Sequence, residues 1–276
     1  MTRVSFTNRR TRLLAAALAV LFCSGLITAA TTPEPAEAAA DFRKAFPIAA
    51  GSSVYNSRHQ PCTVGAVLKA NGFFANITEF QRKTRYLVIA GHCGNDGQDI
   101  GLEGHGVVGR IIWESGDADL AIVRVDPSVT HRPHCMPNSQ LHNCTILTTV
   151  SPLATGRIFL RSAFSGQPRS FPIQGTGVPG ADESFCTSGA TTGINCNWSS
   201  VPLPEGFGAH QAGAQSDGLF LEGGDSGGPV AGRAGQLYGI IARMGNDLGP
   251  ARDIMSYTPI ARLFQEQSGY SIAPPN

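Results

Sequence analysis

The segment Glu222-Gly223-Gly224-Asp225-Ser226-Gly227-Gly228-Pro229-Val230 is the most informative stretch of the chain. A serine hydroxyl is a weak nucleophile. It needs an exposed position, a base beside it, and backbone N–H groups aimed at an oxygen that becomes negative. Glycines on both sides of Ser226 let the backbone bring such N–H groups together, and they leave room for another main chain. A Gly-x-Ser-x-Gly elbow between a strand and a helix is the competing reading, and a plain glycine-rich turn is the bland one. Pro229 three residues on, followed by a β-like run, argues against a helix there, so Ser226 is read as a nucleophile in a β context.

Working outward, Ile89-Ala90-Gly91-His92-Cys93 ends an apolar run, Tyr86 to Ala90, on a histidine. A general base needs rigid mounting, and Cys93 can supply it through a disulfide. A lone histidine at a strand end is more often structural; the flanking Ala-Gly and Cys raise His92 above that. Asp117-Ala118-Asp119 then enters the run Leu120 to Val125. A carboxylate turned inward here can accept the far N–H of the histidine and set its tautomer. Asp119 directly precedes the run and is the first choice. Asp117 is either a turn residue or the alternative carboxylate.

Composition agrees with a β-rich, turn-rich chain. Its 276 residues include 33 Gly and 18 Pro, and 42% are apolar. That suffices to bury one large core or two small ones. Lys and Arg number 21 against 20 Asp and Glu, so electrostatics gives no reason to expect nucleic acid or an anionic membrane as partner. Further β-like runs are Val64 to Leu68, Val107 to Trp113, Thr145 to Val150, Arg157 to Leu160, Gly218 to Leu221, Gly228 to Ala231 and Gln236 to Ala242. Pro127 to Asn143 is poor in strand signals and reads as a linker. Only the end looks helical, with Pro259 at the start and Ile260, Leu263 and Phe264 on one face.

Residues 1–40 open with Arg3, Arg9, Arg10 and Arg12, followed by an apolar and Ala-rich stretch. They read as a secretory signal peptide; a membrane anchor is the alternative, although the apolar run is only ~18 residues, the low end for a span. Export makes the six later cysteines disulfide candidates: spacing favours Cys135 with Cys144 and Cys186 with Cys196, leaving Cys62 with Cys93. A zinc site drawing on His131, His134 and His142 beside Cys135 and Cys144 is the competing reading, but no Cys-x-x-Cys is present.

The order His92, Asp119, Ser226 belongs to the chymotrypsin fold and not to subtilisin-like enzymes or α/β-hydrolases. With Gly-Asp-Ser-Gly-Gly-Pro around Ser226, the chain resembles the chymotrypsin-like serine peptidases. It is most similar to their bacterial streptogrisin and α-lytic branch. Gly51 to Tyr55, Cys62 to Gly65, the loop Cys186-Thr187-Ser188-Gly189-Ala190-Thr191-Thr192-Gly193-Ile194-Asn195-Cys196 and Tyr257-Thr258-Pro259 carry the branch resemblance, which runs from Gly51 to Phe264. It implies an all-β protein of two six-stranded antiparallel β-barrels with a C-terminal helix. The expected division is 41–130 for the first barrel, 131–145 for a linker and 146–276 for the second. It also implies an oxyanion hole from the N–H groups of Gly224 and Ser226, a polypeptide substrate, and no metal or organic cofactor. The protein is expected to be a secreted bacterial monomer, without nucleic acid and without stable membrane association once the signal is removed. A secreted esterase and a catalytically weak binding protein are the other readings.

The chain also departs from that pattern. Thr187 stands where the branch commonly has the arginine that pairs with the aspartate before the nucleophile, which leaves Asp225 in search of a partner. Arg157, Arg161 or a processed N-terminus are the candidates. Glu222 replaces a pocket cysteine, Phe220 falls where the pocket floor is expected, and Ala242-Arg243-Met244 replaces a Ser-x-Gly wall. Phe220, Glu222, Ala242 and Met244 are accordingly the expected substrate-pocket residues.

Overall fold

A computed structural model describes residues 41–135, 144–218, 220–245, 251 and 253–276. Residues 1–40, expected to be a signal peptide, and His142 lie outside the described residues. Among the described residues no helix is long and apolar enough to cross a membrane. The strands are, in chain order, β1 (Ile48–Ala50), β2 (Ser53–Asn56), β3 (Pro61–Thr63), β4 (Ala66–Ala70), β5 (Arg85–Ile89), β6 (Asp99–Leu102), β7 (Gly106–Glu114), β8 (Ala121–Val125), β9 (Ser128–Cys135) and β10 (Cys144–Ser151). They continue as β11 (Ala154–Arg161), β12 (Pro168–Pro172), β13 (Gly175–Thr176), β14 (Phe185–Gly189), β15 (Gly193–Val201), β16 (Ala212–Ser216), β17 (Pro229–Ala231), β18 (Gln236–Met244), β19 (Ile254–Pro259) and β20 (Tyr270–Ile272). Two short helices are α1 (Glu79–Lys83) and α2 (Ile260–Glu266).

The fold is all-β, as the resemblance implies, with one half closed and the other open. Strands β18-β17-β14-β15-β16-β19 run round a circuit that the β18–β19 pairing closes into a six-stranded barrel. The other half is an open eight-stranded sheet, β20-β4-β5-β8-β7-β6-β2-β3. Both chain ends cross over. β20 pairs with β4 on the edge of the open sheet, and β1 runs parallel to β11.

Strand periodicity explains how the open sheet is buried on both faces. Val67, Leu87, Ile89, Ala121 and Val123 enter one apolar cluster, while Ala66, Leu68, Val88, Leu120 and Ile122 enter another. The second cluster also takes Leu237 and Ile240 from β18 and Ile260 and Leu263 from α2. The helix read from Pro259 onward therefore joins the open sheet to the closed barrel. Inside the barrel, Phe185, Trp198, Val230, Met255 and Tyr257 pack together. The fully buried Trp198 donates its indole N–H to Thr187 Oγ1 at 2.8 Å. Thr187 thus satisfies a buried donor at the position where the branch keeps an arginine.

Three local expectations are corrected. Within the stretch Pro127 to Asn143 read as a linker, Ser128–Cys135 forms the strand β9, which pairs with β10, expected from Thr145 to Val150, and is joined to it by the Cys135–Cys144 disulfide. Both of its faces are largely solvent-exposed, so it lacks the apolar alternation that betrays a strand. None of the described residues of the run Gly218 to Leu221 lies in a strand: Gly218 takes φ +79°, Phe220 is exposed and Leu221 is buried in the core. The helix α1 was not anticipated; a capping box between Thr78 and Gln81 starts it.

Candidate active site

His92 is delivered by β5. The strand ends at Ile89, and Gly91–Cys93 forms a single tight 3₁₀ turn that presents the imidazole. Gly91 keeps this turn close to the next strand, since a Cβ would lie 3.1 Å from Leu120 N and 3.2 Å from Asp119 Oδ1 and would press on both. Cys93 is bonded to Cys62, and the side-chain amide of Asn56 donates to the Cys93 carbonyl at 2.9 Å. The turn is therefore held on both sides of the histidine.

Asp119 faces this turn. Its Oδ2 lies 2.8 Å from His92 Nδ1, and its Oδ1 accepts the His92 backbone N–H at 2.9 Å. A carboxylate at Nδ1 selects the tautomer with the proton on Nδ1, which leaves the Nε2 lone pair free to act as a base. The hydrogen bond to Asp119 raises the His92 pKa above its ordinary value, burial opposes the rise, and the charge of Asp119 adds to it. Asp117 goes elsewhere. Its carboxylate accepts from Arg262 Nη2 at 2.8 and 2.9 Å and lies 3.3 Å from His210 Nε2. The two candidate carboxylates are thus separated by the structure: Asp119 meets the histidine, and Asp117 clamps α2.

Ser226 lines one cleft of about 390 Å³ together with His92, Gly223, Gly224, Pro61 and the Cys62–Cys93 bridge. The loop that carries it is fixed from across the molecule. Thr63 N–H donates to the Ser226 carbonyl at 2.8 Å, and Thr63 Oγ1 donates to the Gly224 carbonyl at 2.7 Å. Gly224 has φ +105° and Gly227 φ +85°, conformations that favour glycine. Thr191 Oγ1 donates to the Gly223 carbonyl at 2.8 Å. In a trans peptide the C=O and N–H point in opposite directions, so this bond turns the Gly224 N–H away from Thr191. Among the described residues no protein group accepts from the N–H of Gly224 or of Ser226. Two unpaired donors flanking a serine can hold an oxyanion.

The partner of Asp225 is also resolved. Neither Arg157 nor Arg161 reaches it: Arg157 is bonded to Ser170, and Arg161 donates to the carbonyls of Ile194 and Gly166. The fully buried Asp225 instead accepts four hydrogen bonds, from Thr191 N (2.8 Å), Thr192 N (3.0 Å), Thr192 Oγ1 (2.7 Å) and Glu222 N (2.9 Å). Such a cradle compensates a buried carboxylate as well as an ion pair does. Asp225 also acts electrostatically on Arg43, whose guanidinium is buried, donates to the Gly51 carbonyl and lies 3.1 Å from Ser188 Oγ. Burial lowers its pKa to about 10, against the pull of Asp41 and Asp225. Sequence reasoning missed Arg43 because it stands 182 positions before Asp225 in the chain. The adjacent threonines of the Thr-Thr-Gly loop were the readable signal.

The expected pocket residues are scattered. Phe220 is 42% exposed, Ala242 is buried, and Met244 packs against the barrel core. Glu222 contributes its backbone N–H to Asp225. None of the four lines the cleft of Ser226 or the neighbouring hollow formed by His92, Asp119, Gly208, Gln211 and Arg243. All three disulfides, Cys62–Cys93, Cys135–Cys144 and Cys186–Cys196, are formed, which removes the sulfur ligands of the zinc reading.

No protein-family model and no curated protein sequence matches the chain. Solved structures do. Protease A of Thermobifida fusca matches at 20% identity and TM-score 0.51, covering 82% of this chain and 98% of that one. A Nocardiopsis protease matches at 18% and 0.53, with 82% and 98% covered. A glutamic acid-specific serine protease, described as using a histidine triad in substrate binding, matches at 20% and 0.52, with 82% and 100% covered. At these identities the likeness is one of fold, and the chain has the fold of the bacterial chymotrypsin-like serine proteases.

Proposed function

We propose that the protein is a secreted serine endopeptidase acting through His92, Asp119 and Ser226. The observation that carries the reading is the His92–Asp119 contact of 2.8 Å beside a cleft that also holds Ser226. In the proposed reaction His92 Nε2 takes the Ser226 hydroxyl proton as Oγ attacks the peptide carbonyl. The negative oxygen rests on the N–H groups of Gly224 and Ser226. His92 then returns the proton to the leaving amine, and water, deprotonated in turn by His92, releases the acyl group and restores the Ser226 hydroxyl. This places His92 and Asp119 in the 41–130 half and Ser226 in the 146–276 half, with substrate lying between them.

The esterase reading has the same chemistry but needs no strand to pair with a peptide. Ala242 to Met244 bears on that choice. Ile241 is still bonded to Gly227 and Gly228, but beyond it, on the edge away from β19, the backbone of Ala242 to Met244 has no backbone partner among the described residues, which leaves room for an extended polypeptide and supports the peptidase reading. The test is to treat the secreted, folded protein with a phosphonylating serine reagent and locate the adduct by mass spectrometry. The expected adduct is on Ser226; its absence from folded protein refutes the mechanism. Cleavage of a denatured polypeptide as well as small esters separates the peptidase from the esterase.

A further inference from the structure

Beside the catalytic histidine lies a second hollow, of about 510 Å³, lined by His92, Asp119, Gly208, Gln211 and Arg243. Arg243 is an exposed cation that is nonetheless held in place. Its guanidinium stacks on the Phe207 ring with Cζ 4.5 Å from the centroid, and Nη2 donates to the Gly206 carbonyl. None of the ion pairs among the described residues includes Arg243. Arg110, Arg124 and Arg262 are instead ion-paired, with Asp99, Asp126, and Asp117 and Glu266 respectively, while Arg82 and Arg233, like Arg243, donate to backbone carbonyls; what sets Arg243 apart is its place beside His92 and Asp119. Stacking and one hydrogen bond remove much of the rotamer freedom that a docking anion would otherwise have to freeze. The hollow is roomy enough for a side chain; its polar groups are the guanidinium, Gln211, the His92 ring and the Asp119 carboxylate, and that carboxylate is already engaged by His92.

Position adds to this. Arg243 belongs to the last residues of β18, after a register shift between Ile241 and Arg243, on the stretch whose outer edge is unpaired. An extended chain lying along that edge sets alternate side chains toward the hollow.

We infer that Arg243 is a specificity determinant, selecting substrates with an aspartate or glutamate side chain close to the scissile bond, in the segment that lies over β18. The inference rests on the endopeptidase reading and names its substrate class. It requires no acidic residue to enter the catalytic step. The acidic group docks on the guanidinium while Ser226 and His92 act on the backbone.

The experiment is cleavage-site profiling of a peptide library by the full secreted protein, alongside Arg243→Gln and Arg243→Glu. Each preparation is first titrated with the phosphonylating reagent, so that rates are expressed per labelled Ser226. The wild-type profile is expected to favour Asp or Glu over neutral residues about fivefold at one position within a few residues of the cut, the discrimination of a partly exposed charge pair. That preference shrinks as salt is raised. Arg243→Gln abolishes it, and Arg243→Glu turns it toward Lys and Arg. A wild type that labels and cleaves without acidic enrichment, or a charge reversal that leaves the profile unchanged, overturns the inference alone. A folded wild type that neither labels nor cleaves overturns the endopeptidase reading and this inference with it.

Discussion

Replacing Thr191 with valine tests how the oxyanion site is built. The swap keeps the side-chain shape and removes one donor, the hydroxyl that holds the Gly223 carbonyl at 2.8 Å. Thr191 also donates its backbone N–H to Asp225, and the valine retains that bond. A neutral hydrogen bond contributes about 0.5–1.5 kcal/mol net, so melting is expected to fall by only a few degrees. Turnover is more sensitive. The hydroxyl is what biases the Gly223–Gly224 peptide toward the orientation with the N–H facing the cleft, and losing about 1 kcal/mol of that bias changes the balance roughly fivefold. Complete loss of one oxyanion donor costs about 10²–10³ in kcat. The expected loss in kcat/KM for Thr191→Val therefore lies between about fivefold and 10²-fold, with KM little changed. A boronic-acid inhibitor that mimics the tetrahedral intermediate should weaken in parallel, and Thr191→Ser, which keeps the hydroxyl, should restore both. If Thr191→Val keeps kcat and boronate affinity within about twofold of wild type, the hydroxyl does not orient this peptide and the reasoning is wrong.

Other perturbations follow from the same geometry. Gly189→Ala puts a Cβ 2.1 Å from Asp225 Oδ1, inside the carboxylate cradle, and is expected to cost about 2–3 kcal/mol in urea unfolding; an unchanged midpoint refutes the tight cradle. Because His92 must be neutral to act and its pKa is raised, activity should fall with acid around a midpoint above the ordinary ~6.5, and Asp119→Asn should lower that midpoint and cut kcat by about 10⁴. The sign for stability is opposite: the raised pKa contributes stability that is full below ~6.5 and lost as pH climbs through the folded value, so the active form is the less stabilised one. Asp117→Asn breaks the contact with Arg262 on α2 and should leave the pH–activity midpoint where it is, which profiling both aspartate variants side by side would check. Converting Cys62 and Cys93 to serine opens a bridge spanning 31 residues and should cost roughly 3–4 kcal/mol of stability, read from denaturant midpoints.

Much of the site was legible locally because its chemistry is local. The glycines around Ser226, the cysteine after His92 and the apolar strand after Asp119 are neighbours in the chain, so short-range reading identified them. The disulfide partners also followed from spacing in two of three cases and by remainder in the third. β9 was not legible, although its partner β10 was read from Thr145 to Val150, since a strand exposed on nearly every residue carries no burial alternation. Nor was the choice between Asp117 and Asp119 decided, because two aspartates separated by one residue look alike until α2 brings Arg262 against one of them.

What the sequence by itself determined is the candidate chemistry: the serine proposed as nucleophile, the histidine proposed as its base, the carboxylate proposed to orient it, and the order in which they come. Tertiary structure alone decided what surrounds them. Asp225 found four donors in its own barrel instead of a distant arginine, since backbone N–H groups exist at every residue and only folding aims them. Arg243 became a pinned cation beside His92, with no ion pair among the described residues, only because the loop carrying Gly206 and Phe207 folds over it, a contact between segments 37 residues apart that no local pattern encodes.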